Sequence, residues 1–148
     1  MTRNKFITII AIIIAMLITI PCIAQVDIIS MLDGNRNTVH RIMAENGYEL
    51  FYINNENNLE FFGNDEQYPI VKYCVIYEKN KISSISMFLE YKTSEEKVSD
   101  MTLKSIMFEI LYGNPMIYYN GFIWFAIQEN ITIAMNIEPY FIMLMNNK

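Results

Sequence analysis

The sequence predicts an α+β fold: one domain, built as two repeated helix-plus-antiparallel-strand units with the helices on one face of the sheet. Three observations predict it. Strand-like runs recur at short spacing; in "KISSISMFLEY", Ile85, Met87, Leu89 and Tyr91 alternate with Ser84, Ser86, Phe88 and Glu90, the pattern of a half-buried antiparallel strand. Two other stretches carry helical periodicity with start and stop signals. Finally, "TVHRIMAE" at Thr38 returns as "TLKSIMFE" at Thr102, with Thr, Ile, Met and Glu repeating at an offset of 64. The repeats would run over 38–92 and 93–148.

Taken in order, the chain opens with "MTRNKFITIIAIIIAMLITIPCIAQ". Arg3 and Lys5 give a positive start, and no acid appears before Asp27. Residues 6–20 are uncharged and mainly aliphatic. As a helix they would reach about 22 Å, short of the roughly 30 Å hydrocarbon core of a bilayer. Pro21 discourages further helix and leaves Cys22-Ile23-Ala24 extended. A signal peptidase needs small side chains at the last and third-last positions before its cut, which Ala24 and Cys22 supply. Residues 1–24 therefore read as a secretory signal peptide, with Gln25 the first mature residue and a periplasmic or extracellular destination. The alternative is a membrane anchor formed by the charge-free residues 6–24, left uncleaved. A lipoprotein signal fails twice, because Thr19 and Pro21 stand where it wants a leucine-like and a small residue.

"DIISMLDG" predicts a separate helical turn ending at Gly34. "TVHRIMAENG" predicts a short helix, capped by Asn37 or Thr38, with Val39, Ile42 and Met43 on one face and Asn46-Gly47 as its stop. "YELFYI", "LEFF", "PIVKYCVIYE" and "KISSISMFLEY" follow as strands, with "NNENN" and "GNDEQYP" supplying turns. In "TSEEKVSDMTLKSIMFEILYG" a second helix is expected, opened by a capping box of Thr93 with Glu96 or, if shorter, capped by Asp100. Leu103, Ile106, Met107 and Ile110 form its apolar stripe, which amphipathicity would place against the sheet. Gly113 and Pro115 stop it. Strands resume in "MIYY", "GFIWFAI", "ITIAMNI" and "YFIMLM".

Composition narrows the function. The chain of 148 residues holds 16 acids against 11 Lys and Arg, a net charge of −5. Cleavage after Ala24 leaves 124 residues and, with Arg3 and Lys5 removed, a net charge of −7. No cluster of bases is present to neutralise phosphates, which argues against nucleic acid and against anionic membrane surfaces. After cleavage no stable membrane insertion is expected. Cleavage also removes Cys22, one of two cysteines, so Cys74 has no disulfide partner within a mature monomer. Its strand setting predicts a small apolar space-filler rather than a reactive thiol.

The sequence carries few signs of catalytic chemistry. There is no GxSxG, HExxH, GxxxxGK[ST] or paired CxxC, and one histidine with one mature cysteine cannot build a typical zinc site. His40 reads as a solvent-facing helix residue in preference to a general base. The alternating oxygens of Asn54, Glu56, Asn58 and Glu60 lack the glycine and closing glutamate of a calcium loop, so a hairpin turn explains them better. Asn130-Ile131-Thr132 is a formal glycosylation sequon, expected to be plain strand. No catalytic residue, metal ligand or cofactor is assigned, and a non-enzymatic role is expected.

The aromatic residues are the most suggestive feature. In "PMIYYNGFIWFAI", Phe122, Trp124 and Ala126 share one strand face and Ile123, Phe125 and Ile127 the other, so both faces are apolar. If helices cover the Ile123 face, Phe122 and Trp124 need a partner protein, with Tyr118, Tyr119 and Tyr140 extending the patch. The competing reading places these rings in the domain's own core.

Residues 101–137, "MTLKSIMFEILYGNPMIYYNGFIWFAIQENITIAMNI", resemble the SmpA/OmlA (BamE) pattern. A helix ending in leucine leads to Gly-x-Pro, then to a short hairpin with a tryptophan and an alternating strand. Met101, Thr102, Leu111, Gly113, Pro115 and Trp124 carry the resemblance. The related β-lactamase-inhibitor-protein fold repeats a helix-and-sheet unit twice. The resemblance implies an exported, non-enzymatic module that binds a protein partner. The alternative function is an envelope-associated structural protein held by an uncleaved amino-terminal helix.

Overall fold

Short runs of β-branched and aromatic residues, separated by asparagine-rich turns, assemble into one antiparallel sheet. The computed structural model describes residues 28–148; the expected signal segment 1–24, with Cys22, Ala24 and Gln25, lies outside the described residues. The helices are α1 (Ile28–Met31), α2 (Arg36–Glu45) and α3 (Ser94–Tyr112). Strands β1 (Glu49–Asn54), β2 (Leu59–Asn64), β3 (Ile70–Glu78) and β4 (Lys81–Glu90) lie between α2 and α3. After α3 come β5 (Met116–Tyr118), β6 (Gly121–Ala126), β7 (Ile131–Asn136) and β8 (Phe141–Asn146). The chain is thus a single α+β domain with one eight-stranded sheet among the described residues, ordered β1-β2-β3-β4-β8-β7-β6-β5.

Local chemistry sets the boundaries. The turn α1 buries Met31 together with Leu32 and ends in a hydrogen bond donated by the Gly34 N–H to the Met31 carbonyl. Helix α2 starts two residues earlier than its sequence signals suggest. Asn35, not Asn37 or Thr38, is the cap, its side chain accepting from the Thr38 amide at 3.1 Å. Gly47, at φ +79°, ends that helix as expected. The expected capping box opens α3, with Thr93 and Glu96 each satisfying the other's backbone amide. Lys79 and Asn80 both adopt positive φ and turn β3 tightly into β4.

Register fixes which side chains share a face. One row runs Glu60, Val75, Ile85, Leu144, Ile133, Trp124 across six strands. The next runs Phe62, Tyr73, Met87, Ile142, Met135, Phe122. The His40 ring of α2 meets Phe62 edge-on at 5.4 Å, and Phe108 of α3 meets Trp124 at 5.2 Å. Both longer helices therefore lie on this face, and the core forms beneath them from Val39, Met43 and the two rows.

The expected stripe of α3 does not face the sheet. Lys97, Asp100, Met101, Lys104, Ser105, Phe108 and Tyr112 are the half-buried positions, while Ile106, Met107 and Ile110 point outward and Leu103 is only partly covered. The reason lies in what already fills the interior. Met101, Phe108 and Tyr112 pack on the core, and Asp100 accepts a hydrogen bond from the buried Tyr140 hydroxyl at 2.6 Å while pairing with Lys104. Periodicity reveals that α3 has an apolar face, but a second, mixed face carries the anchoring contacts.

Candidate functional site on the open sheet face

With both longer helices on one side, the other side of the sheet has no helix over it among the described residues. The alternation that buries Ile85 and Met87 turns Ser84, Ser86 and Phe88 to this second face. A complete row crosses all eight strands: Tyr52, Phe61, Cys74, Ser86, Met143, Ala134, Ile123, Met116. None of these side chains is charged. A flanking row, Leu59, Ile76, Ser84, Met145, Thr132, Phe125, is also uncharged. On the other flank the row Glu49, Gly63, Lys72, Phe88, Phe141, Asn136, Gly121, Tyr118 carries two charges, Glu49 and Lys72, and Lys72 is paired at 3.3 Å with Glu90, two residues beyond Phe88.

The face has relief. Cys74, Ser84 and Ser86 are buried although no helix lies over them, because the larger Phe61, Phe88, Met143 and Met145 stand around them. The middle of the sheet is thus a shallow furrow of small groups. Phe88 and Phe141 stack at 5.3 Å along one bank, and Phe61 is flanked by Phe51 and Tyr52 at one end. A bulge between Leu50 and Tyr52 turns Phe51 over Gly63. Beside it opens a cleft of about 610 Å³ lined by Glu49, Asp65, Glu66 and Lys72. Burial pushes the Cys74 thiol above its ordinary range, which fits a space-filler and opposes a thiolate nucleophile.

Of the tyrosine and tryptophan residues expected to form the patch, Tyr118 falls on this face, level with Gly121 and Asn136, and the others lie elsewhere. Trp124 is 1 % exposed and sits under α3, with Phe122 beside it at 5.8 Å. The expectation that helices cover the Ile123 face is corrected: they cover the Trp124 face, and Ile123 and Phe125 are on the open one. Because both faces of β6 are apolar, its pattern alone does not choose between them. Tyr140 is likewise buried and holds Asp100 of α3, and its hydroxyl is pushed up by that burial and by the nearby carboxylate. Tyr118 is half-buried, donating to Asn136 Oδ1 at 3.3 Å, whereas Tyr119 is fully exposed in the β5–β6 turn. Asn130 lies in the β6–β7 turn at φ +56°, not in a strand.

A second polar assembly joins α2 to the sheet. Glu60, 2 % exposed, accepts from the Tyr77 hydroxyl at 2.8 Å and lies 2.7 Å from His40 Nε2. Arg36 Nε stands 3.2 Å from its other oxygen as an ion pair without an aligned N–H bond, and the guanidinium covers the Tyr77 ring at 4.7 Å. Burial, then the Glu60 contact, drives the Tyr77 hydroxyl well above the ordinary tyrosine range. His40 is thus not a free surface residue; its ring engages a buried carboxylate. His40 and Glu60 have the arrangement of a base and an orienting acid, and Ser84, Ser86 and Cys74 lie on the opposite face of the sheet from them. The sequence places Glu60 both among the turn oxygens of "NNENNLE" and in the strand "LEFF", and the turn reading hides its burial. Its signal was the two-residue spacing to Phe62.

Among the described residues no group of three or more His, Cys, Asp or Glu side chains is placed to hold a metal, and no helix is long and apolar enough to cross a membrane. No protein-family model, curated protein or solved structure matches the chain.

Proposed function

We propose that this chain is an exported, non-enzymatic module that binds a protein partner on the open face of its sheet. The observation that carries the reading is the uncharged row from Tyr52 to Met116. Soluble proteins rarely leave a contiguous apolar patch of more than a few hundred Å² without an interaction to cover it. Half-exposed Tyr52 and Met116 stand at its ends with half-exposed Phe125 in the flanking row, and aromatic side chains bury much area at small rotamer cost. The furrow over Cys74, Ser84 and Ser86 suits a protruding element of the partner. The acids around the Phe51 cleft favour a basic side chain at that end.

Export rests on residues 1–24, with cleavage before Gln25. Duplication, which the β-lactamase-inhibitor-like resemblance implies, is supported by three features: a helix followed by four strands occurs twice, β4 and β8 meet at the centre, and each helix covers a buried aromatic of the second strand that follows it (Phe62 and Trp124).

The test is partner capture by the full chain cross-linked in its own cells, compared with Phe125→Glu and Tyr52→Glu. Both positions are half exposed, so the variants should fold. Loss of the same cross-linked species in both supports the reading. Retention in both, or loss in a Tyr119→Ala control alone, refutes it. The second reading, an uncleaved anchor over residues 6–24, is favoured by the absence of charge there. Release of the chain from membranes by carbonate would exclude it.

A further inference from the structure

We propose that the free edge of β1 takes up an extended segment of a partner protein as an added strand, with a Lys or Arg side chain of that segment in the acidic cleft beside Phe51. The inference deepens the reading of the open face as a partner surface, and rests on it only for the partner being a protein. β1 ends the strand order and pairs with β2 alone. Among the described residues, the N–H and C=O groups on its outer side therefore have no strand to meet. Besides water, such a row is matched by another extended backbone of the same repeat. A partner helix cannot match it, because its backbone bonds are closed within itself. The edge is also apolar where it is open: Phe51 is 58 % exposed, Tyr52 50 % and Ile53 47 %. β5, at the opposite edge, offers only three residues against the six of β1.

Charge selects the segment. Glu49, Asp65 and Glu66 line the cleft, all three are exposed, and none is ion-paired among the described residues. Lys72 is the only base in the lining and is already paired with Glu90 at 3.3 Å. A strand laid along β1 is thus complemented by a base at the end where Glu49 stands. Glu49 and Phe51 stand on the open face against Gly63, and Tyr52 stands there against Phe61. The segment should accordingly carry its base and an apolar side chain on that same face, at alternate positions. A second copy pairing through its own β1 does not supply the base. Between Gly47 and Asn58 the only charges are Glu49 and Glu56, both acids. The bulge between Leu50 and Tyr52 twists the edge and opposes indiscriminate pairing, which leaves the choice of strand to the cleft.

The probe is a phage-displayed library of random dodecapeptides selected on the full chain. Enriched sequences should carry Lys or Arg with apolar residues at alternate positions beside it. The tightest of them, made synthetically, should slow amide exchange over residues 51–54. Glu49→Gln, Asp65→Asn and Glu66→Gln combined should weaken it at least about tenfold while the circular dichroism spectrum is unchanged. N-methylating every second amide of the peptide should abolish binding in one phase and be tolerated in the other, because only alternate amides of an added strand face β1. Phe125→Glu, on the far side of the open face, should leave the peptide's affinity unchanged, so this proposal and the open-face reading fail separately. Enrichment of sequences without a base, or of none, overturns the proposal. So does equal affinity for the triple variant, tolerance of N-methylation in both phases, or unchanged exchange over residues 51–54.

Discussion

Substituting Glu60 by Gln tests whether the polar assembly under α2 clamps that helix to the sheet. Gln keeps the volume and one acceptor oxygen, so the Tyr77 hydroxyl at 2.8 Å remains satisfied. That retained oxygen also faces His40, while the other terminal position becomes an NH₂ facing Arg36. The ion pair is then lost, and the bonds from His40 and Tyr77 no longer end on a charged group, where such bonds are worth about 1.5–3 kcal/mol each. Arg36 and His40 are more than a third exposed, so water screens what is left and the full penalty of a buried, unpaired charge does not apply. The expected loss is about 2 kcal/mol. Glu60→Ala should cost about 4 kcal/mol, because the Tyr77 hydroxyl then loses its acceptor as well. Urea unfolding followed by the fluorescence of Trp124, the single tryptophan, reads these values directly. Gln should lower the midpoint by roughly 1 M for a domain of this size. In a double-mutant cycle, Tyr77→Phe and Glu60→Gln should couple by about 0.5 kcal/mol or more. If Glu60→Gln lies within about 0.5 kcal/mol of wild type, the assembly is not a clamp, and the ranking above fails with it.

Three further outcomes are expected. Trp124 should be nearly inaccessible to iodide and acrylamide in the folded chain; quenching close to that of free tryptophan would contradict its place beneath α3. The hydroxyls of Tyr73, Tyr77 and Tyr140 are all raised by burial, so the stability they contribute is intact below about pH 10 and is lost as the pH climbs toward their raised values. An ultraviolet titration should show these rings ionising only together with loss of circular dichroism, and a single reversible step with the fold intact would refute this. Gly121→Ala should cost about 3 kcal/mol, because a Cβ there would overlap the Met135 carbonyl oxygen of the neighbouring strand; an unchanged thermal midpoint would mean that β6 and β7 are paired differently.

Much of the fold can be read from local chemistry. Alternation at Ile85, Met87 and Leu89, the Thr93–Glu96 capping box and the Asn46-Gly47 stop act within a few residues, and each has the structure its pattern implies. What was misread depends on neighbours distant in sequence. A period of 3.6 identifies the stripe Leu103, Ile106, Met107, Ile110 but does not say what it meets. Phe108 and Tyr112 take the inner side because Trp124 and the core lie there. Strand β6 is apolar on both faces, so nothing local decides whether Trp124 or Ile123 lies beneath a helix. The row from Tyr52 to Met116 was hidden for the same reason: its eight members come from eight strands and are adjacent only once the register is known.

The strand latest in the chain is not at an edge of the sheet but at its middle. β8 is hydrogen-bonded to β4 on one side and β7 on the other, and five residue pairs, from Ser84 with Met145 to Phe88 with Phe141, join the two halves. Until β8 arrives, β4 is a raw edge and the earlier hairpins have nothing to lean on. Closure of the sheet therefore waits for β8, which follows every other described strand in the chain. The same seam is a point of failure: a cut before Phe141 removes one strand yet leaves two half-sheets with no joint between them.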